Sequence, residues 1–185
     1  MPNRPLYFAA GPRVAVRHLL PGDAEEFTTR ARESAALHHP WLFLPETAGE
    51  YGRWSAKFAT DTSEGFAVCD PVDGSIAAAI AINNIVRGGF QCGALGYGAF
   101  AHAARRGLMA EGLALVVRHA FGPLGLHRLE ANIQPGNEAS RGLVQRLGFR
   151  LEGFSPDFLH IGGAWRDHER WAITAEMCPQ SPDRA

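Results

Sequence analysis

Asn137 and Ser140 stand three residues apart where a helix should begin, just after Pro135-Gly136. That spacing brings an amide and a hydroxyl to the same end of one helix, where unpaired N–H groups and partial positive charge favour an anion. The same N-x-x-S spacing is also an ordinary helix cap, and both roles stay open. A second candidate is Arg105-Arg106-Gly107-Leu108-Met109-Ala110, a basic loop leading straight into an amphipathic helix. Glycine lets a backbone approach closely, first-turn N–H groups point outward, and two guanidinium groups add charge where a diphosphate would sit. A third stretch, Gly96-Tyr97-Gly98-Ala99-Phe100-Ala101, satisfies the G-x-G-x-x-A form of a dinucleotide fingerprint. Its glycines lie inside a mid-chain strand, not at a first strand-to-helix turn, so that reading fails. The basic loop lacks G-K-[ST], which excludes a magnesium-dependent triphosphate loop.

These residues need elements to carry them. Val14 to Leu19 alternates as a strand, Pro21-Gly22-Asp23 ends it, and Asp23 is placed to cap a helix over Ala24 to Ser34. His38 to Trp41 reads as a loop. A second helix over Ala48 to Thr60 would bury Tyr51, Trp54 and Phe58. Gly65 to Cys69 and Ser75 to Ile82 flank the turn formers Asp70 to Gly74 and predict a hairpin, which Leu95 to Ala99 extends. Leu108 to Phe121 carries Met109, Leu113, Val116, Val117 and Ala120 on one helical face. His127 to Gln134 alternates as a strand, Asn137 to Leu147 is a short helix closed by Gly148, and Asp157 to Ile173 forms a hairpin about Gly162-Gly163. The order predicts an α/β (α+β) domain with one βαβ crossover: a single unit over 1–185, its core about 12–176 between flexible termini.

Composition narrows the class. Hydrophobic residues make up 46% and charged residues 20%, with a net charge of -1, so no basic field argues for nucleic acid. Lys57 is the sole lysine. Cys69, Cys92 and Cys178 form no metal-type spacing, which fits a reducing, cytoplasmic setting and no metal. The start lacks a signal-peptide core, and the apolar run Ile76 to Ile82 is too short to span a bilayer.

Taken together, the chain resembles the GNAT N-acetyltransferases, and within them the RimJ/RimL branch that acetylates protein N-termini, RimJ most of all. The stretches that carry this are Asn84 to Phe90, Leu95-Gly96-Tyr97, Gly107 to Glu111, Pro135 to Ser140, Arg146 to Phe149 and Gly163 to His168. The family's pyrophosphate loop reads Arg/Gln-x-x-Gly-x-Gly/Ala; here Ala104 stands first, Gly107 keeps its place and Met109 stands last. The resemblance implies a single domain whose sheet is splayed at an acetyl-CoA site. It implies cofactor contacts at Ala99, Phe100 and Ala101, at Arg105 to Ala110, and at Asn137, with Ser140 stabilising the departing thiolate.

Acetyl transfer to an amine also needs the amine neutral. An α-amino group has a free pKa of about 7.7–8.0, so much of the help a lysine side chain would need is unnecessary. Glu46, Glu64 and His102 are candidates for a base. Trp41 and Glu46 are candidates for the acceptor groove, with core packing the equal alternative for Trp41. Transfer would be direct, since no Cys or Ser stands beside a credible base. The expectation is an acetyl-CoA-dependent N-acetyltransferase, monomeric or homodimeric, acting on a protein N-terminus. A small amine (antibiotic, polyamine or amino-acid derivative) as acceptor, or a non-catalytic acyl-CoA-binding module, are the alternatives.

Overall fold

The computed structural model describes residues 6–178. The expectation for the chain termini lies outside them in part. Among the described residues eight strands form one sheet: β1 (Ala9–Ala10), β2 (Ala15–His18), β3 (Glu64–Cys69), β4 (Ile76–Val86), β5 (Cys92–Ala99), β6 (Arg128–Ile133), β7 (Arg150–Ile161) and β8 (Ala164–Thr174). Their spatial order is β1-β2-β3-β4-β5-β6-β8-β7. Every pairing is antiparallel except β5 with β6. The helices are α1 (Ala24–Glu33), α2 (Ala35–His38), α3 (Ala48–Ser55), α4 (Leu108–Phe121) and α5 (Glu138–Arg146). The predicted βαβ crossover is thus β5-α4-β6.

Burial on both faces explains the unbroken apolar runs of β3 and β4. Phe66, Val68, Ala78, Ile80 and Ile82 join the cluster that holds Leu113, Val116 and Val117 of α4. Ala67, Cys69 and Ala79 join Phe27 and Ala31 of α1 and Tyr51 of α3 on the other face. A bulge between Val68 and Cys69 shifts the register, which puts Ile76 with the second group.

Local differences from the sequence reading have physical causes. The helix from Ala48 stops at Ser55 and tightens into a 3-10 turn over Ala56–Ala59, so Phe58 and Trp54 are half-buried while Tyr51 is buried. His38 ends the one-turn helix α2 instead of opening a loop. Asp23 occupies the cap position of α1 without capping it: its carboxylate takes both Nη atoms of Arg17 at 2.7 and 2.8 Å and accepts from the Leu20 N–H at 2.8 Å. The last hairpin begins at Arg150 and not at Asp157, because Pro156 is tolerated in β7, an edge strand whose register is interrupted between Ser155 and Leu159. No helix of the described residues is long and apolar enough to cross a membrane.

Candidate active site

The site begins where two strands part. β5 pairs with β6 only from Cys92 to Leu95, against Arg128 to Ala131. Beyond Leu95, β5 keeps its antiparallel register with β4 as far as Ala99, while β6 stays with β8 through Ile133. The Phe100 N–H donates to Ala77 O, at 2.9 Å. Hydrogen bonds alternate along an antiparallel pair, so Gly98 and Gly96 also face β4, whereas Tyr97 and Ala99 turn their main chain toward the gap. The Ala99 carbonyl accepts from His38 Nε2 at 2.8 Å, which removes it from any pairing with β6. Burial pushes the His38 imidazole below its ordinary pKa, against the opposing effect of that hydrogen bond, so it is neutral at pH 7. The Ala101 N–H donates to Ser34 Oγ, and the Phe100 ring is fully buried in an edge-on contact with Phe27. Of the three residues read from sequence as a backbone edge, Ala99 opens to the gap and the other two anchor the strand end.

At the C-terminal side of β5, the chain turns through Arg105, at φ 61°, and Gly107, at φ 78°, into α4. Only glycine enters that left-handed region without strain. No side chain caps Gly107, so the N–H groups of Leu108, Met109 and Ala110 lack intrahelical acceptors. Arg105 and Arg106 are exposed and form no ion pair among the described residues. Arg13, unrecognised in the sequence, pins the loop: Nη1 donates to Arg106 O at 2.9 Å and Nε meets Glu111 Oε2 at 2.9 Å. Burial raises the Glu111 pKa, but the Arg13 hydrogen bonds and charge outweigh it and leave the carboxyl below the ordinary range. Arg13 lies 98 residues before Glu111, and no local pattern announces such a pair.

The N-terminus of α5 faces the same gap. Asn137 is the N-cap, its Oδ1 accepting from the Ser140 N–H at 3.1 Å. Ser140 Oγ in turn meets the Tyr97 phenol at 2.6 Å. Burial pushes that phenol up to about 12, while the Ser140 hydrogen bond works the other way. The two hydroxyls are therefore a protonated pair at neutral pH. Tyr97 was legible only as a strand residue.

Tyr97, Asn137 and Ser140 line a cleft of about 810 Å³, together with Trp41, Lys57, Glu130 and His168. Trp41 is half-buried, and a Cβ on Gly136 would come 2.9 Å from its ring. Lys57 Nζ donates to Asn83 Oδ1 at 2.8 Å, and burial lowers its pKa. The carboxylate of Glu130 is engaged by Arg128 and Arg170. His168 is 1% exposed; its Nδ1 donates to Arg166 O at 2.8 Å, which leaves Nε2 with a lone pair. Burial lowers its pKa as well. The base candidates read from sequence lie elsewhere. Glu46 borders a separate depression beside Phe43 and Arg53, Glu64 sits 3.4 Å from His119, and His102 is exposed on a 3-10 turn. Among the described residues no cluster of His, Cys, Asp and Glu could hold a metal ion.

An open helix start, a strand edge with free main chain and a hydroxyl pair at a second helix start can hold an anionic, amide-bearing chain and donate to charge that develops at its end. Comparison with known proteins agrees with that chemistry. The chain is 38% identical over 109 residues to the [ribosomal protein uS5]-alanine N-acetyltransferase of Escherichia coli (strain K12), which is 59% of this chain and 56% of that one. The chain thus spans little more than half the length of that curated relative. It superposes on Mycobacterium smegmatis RimJ in complex with CoA-disulfide with a TM-score of 0.83 at 27% identity, over 91% of this chain and 85% of that chain. A spermidine N-acetyltransferase from Vibrio cholerae in complex with CoA and spermine shares the fold, with a TM-score of 0.76 at 17% identity, over 90% of this chain and 98% of that chain. The acetyltransferase (GNAT) domain family matches residues 13–150, and the chain belongs to that family.

Proposed function

We propose that this protein is an acetyl-CoA-dependent N-acetyltransferase whose acceptor is the α-amino group of a polypeptide. The observation that carries the reading is the parting of β5 from β6 between two helix starts, that of α4 uncapped and that of α5 capped by Asn137. Acetyl-CoA, when bound, supplies the acetyl thioester. The N–H groups of Leu108, Met109 and Ala110 behind Gly107, with the charges of Arg105 and Arg106, would hold its diphosphate. The main chain of Tyr97 and Ala99 would hold its amide arm, beside the Asn137 side chain. An N–H on that strand edge would donate to the carbonyl oxygen as charge builds there.

Ser140 would donate to the departing sulfur, and Tyr97 would orient it by donating to Ser140 Oγ. The partial positive charge at the start of α5 adds to the same effect. For the amine, the lone pair on His168 Nε2 is a group in the cleft suited to take a proton, and burial keeps that imidazole neutral at pH 7. The acceptor side favours a peptide over a polyamine. Among the described residues Glu130 is the one carboxylate lining the cleft, and both its oxygens are already paired. A polycation would find no free anion there. This chemistry fits action on newly made protein N-termini in the cytoplasm.

The test is thiol release from acetyl-CoA with peptides beginning Ala or Ser, set against spermidine and other small amines. Release with the peptides supports the reading. Release with spermidine alone removes the acceptor assignment, and tight acetyl-CoA binding without release on any amine removes catalysis itself.

A further inference from the structure

The chain's one lysine borders the cleft with no counter-ion among the described residues. Lys57 follows α3 on the 3-10 turn Ala56–Ala59, and its ammonium lies over the faces of Trp54 and Phe58, 5.3 and 5.1 Å from their ring centres, in cation–π contact with both. Its hydrogen bond to Asn83 Oδ1 spends one of three donors. It forms no ion pair among the described residues, and burial alone is what depresses its pKa. A half-buried cation with unspent donors is costly unless something arrives to pair with it. The two ring faces and Asn83 offset part of that cost, but among the described residues no carboxylate pairs with it.

The surroundings say what would. Lys57 and Asn83 border both the main cleft and a side pocket of about 160 Å³, which they share with Leu42, Gly96 and Tyr97. At ~30 Å³ of liquid per water, that volume is about five waters, enough for a short side chain. The rest of the side pocket is apolar, lined by Leu44, Trp54, Ala79 and Ile80 among others. Asn83 faces it by the ordinary alternation of β4, on the same face as Ala79 and Ala81, and its register with β5 is unbroken through Ala94. The pocket is therefore a short apolar recess with one fixed positive group at its mouth.

Resting on the peptide reading above, we propose that Lys57 is a specificity-determining residue that receives an acidic side chain next to the acceptor's N-terminal residue. The carboxylate would take the two donors that Asn83 leaves free, and an amide of the same shape would gain much less. The same charge repels acceptors that carry a second cation near the reacting amine, which is a second reason for polyamines to be excluded.

Since Lys57 is the sole lysine, labelling with lysine enriched in ¹³C at Cε alone gives one side-chain methylene signal from the whole protein. The CoA-bound protein is titrated with Ser-Asp-Gly amide and with Ser-Asn-Gly amide. The acidic peptide is expected to shift that resonance and to bind about tenfold tighter, as a charge-assisted bond replaces a neutral one. In Lys57→Met the difference between the two peptides vanishes, and in Lys57→Glu it reverses. Equal binding of the two peptides by the native protein, or a preference that survives Lys57→Met, overturns the proposal, as does failure of both to bind. Thiol release separates the two levels: acetylation of both peptides at equal efficiency sinks the role of Lys57 and leaves the N-acetyltransferase standing. A selective shift and selective binding without any release sinks the catalytic reading and leaves the acidic recess.

Discussion

Replacing the two hydroxyls that meet at 2.6 Å tests the chemistry at its most specific point. Ser140→Ala removes the group that would donate to the departing sulfur. Loss of one positioned donor to developing charge costs about 10²–10³ in kcat. Tyr97→Phe keeps the ring and loses one hydrogen bond, so Ser140 can rotate away. A net worth of ~1 kcal/mol for that bond corresponds to roughly a fivefold fall in kcat. Since Tyr97 acts through Ser140, the double variant should be no slower than Ser140→Ala alone. The assay is thiol release at saturating acetyl-CoA and peptide, with acetyl-CoA affinity measured by calorimetry on each variant. Affinity should stay near that of the native protein while kcat falls. The reasoning is refuted if the two single effects multiply in the double variant, or if Ser140→Ala leaves kcat unchanged.

Three further outcomes follow from the fold. Gly107→Ala forces a Cβ into the left-handed region, 3.2 Å from Arg13 Nη2, and should cost ~1–2 kcal/mol in thermal unfolding and weaken acetyl-CoA binding; unaltered affinity would remove that loop from the cofactor site. Asp23→Ala leaves Arg17 buried at 6% exposure without its bidentate partner and should cost ~3–5 kcal/mol in denaturant unfolding, whereas a loss no larger than that of an exposed pair would contradict a buried ion pair. His38 and His168 both have pKa values lowered from 6.5 by burial, so below that pH the unfolded chain takes up protons that the folded one resists. Stability should therefore fall as pH drops through 6.5 and level off only once the lower folded values are passed, and His38→Gln should flatten part of that fall.

Much of this was legible along the chain and some of it was not. The helix start at Gly107 and the cap at Asn137 are local features, written in residues that need a particular backbone or a particular first-turn donor. Sequence placed both. The βαβ crossover followed from the alternation of Leu129, Ala131 and Ile133 and the face of Leu113, Val116 and Val117. Contacts between distant segments left no such trace. Arg13 on Glu111, Tyr97 on Ser140, His38 on Ala99 and Lys57 on Asn83 each join residues that the sequence holds apart. The base candidates show the same limit. Glu46, Glu64 and His102 have suitable chemistry, but only the fold decides that His168 lines the cleft and they do not. The hairpin start read at Asp157 shows it too: β7 runs back through Pro156 to Arg150, since proline is tolerated at a sheet edge, and edge position is a property of the whole sheet.

One peptide decides the central claim. It begins with Ser, carries a single internal lysine and is incubated with the protein and acetyl-CoA, after which fragmentation mass spectrometry locates the transferred acetyl group. The account predicts acetyl on the α-amino group and none on the lysine side chain, lost in Ser140→Ala. Acetyl on the lysine side chain, or transfer to spermidine with the peptide left untouched, would contradict it.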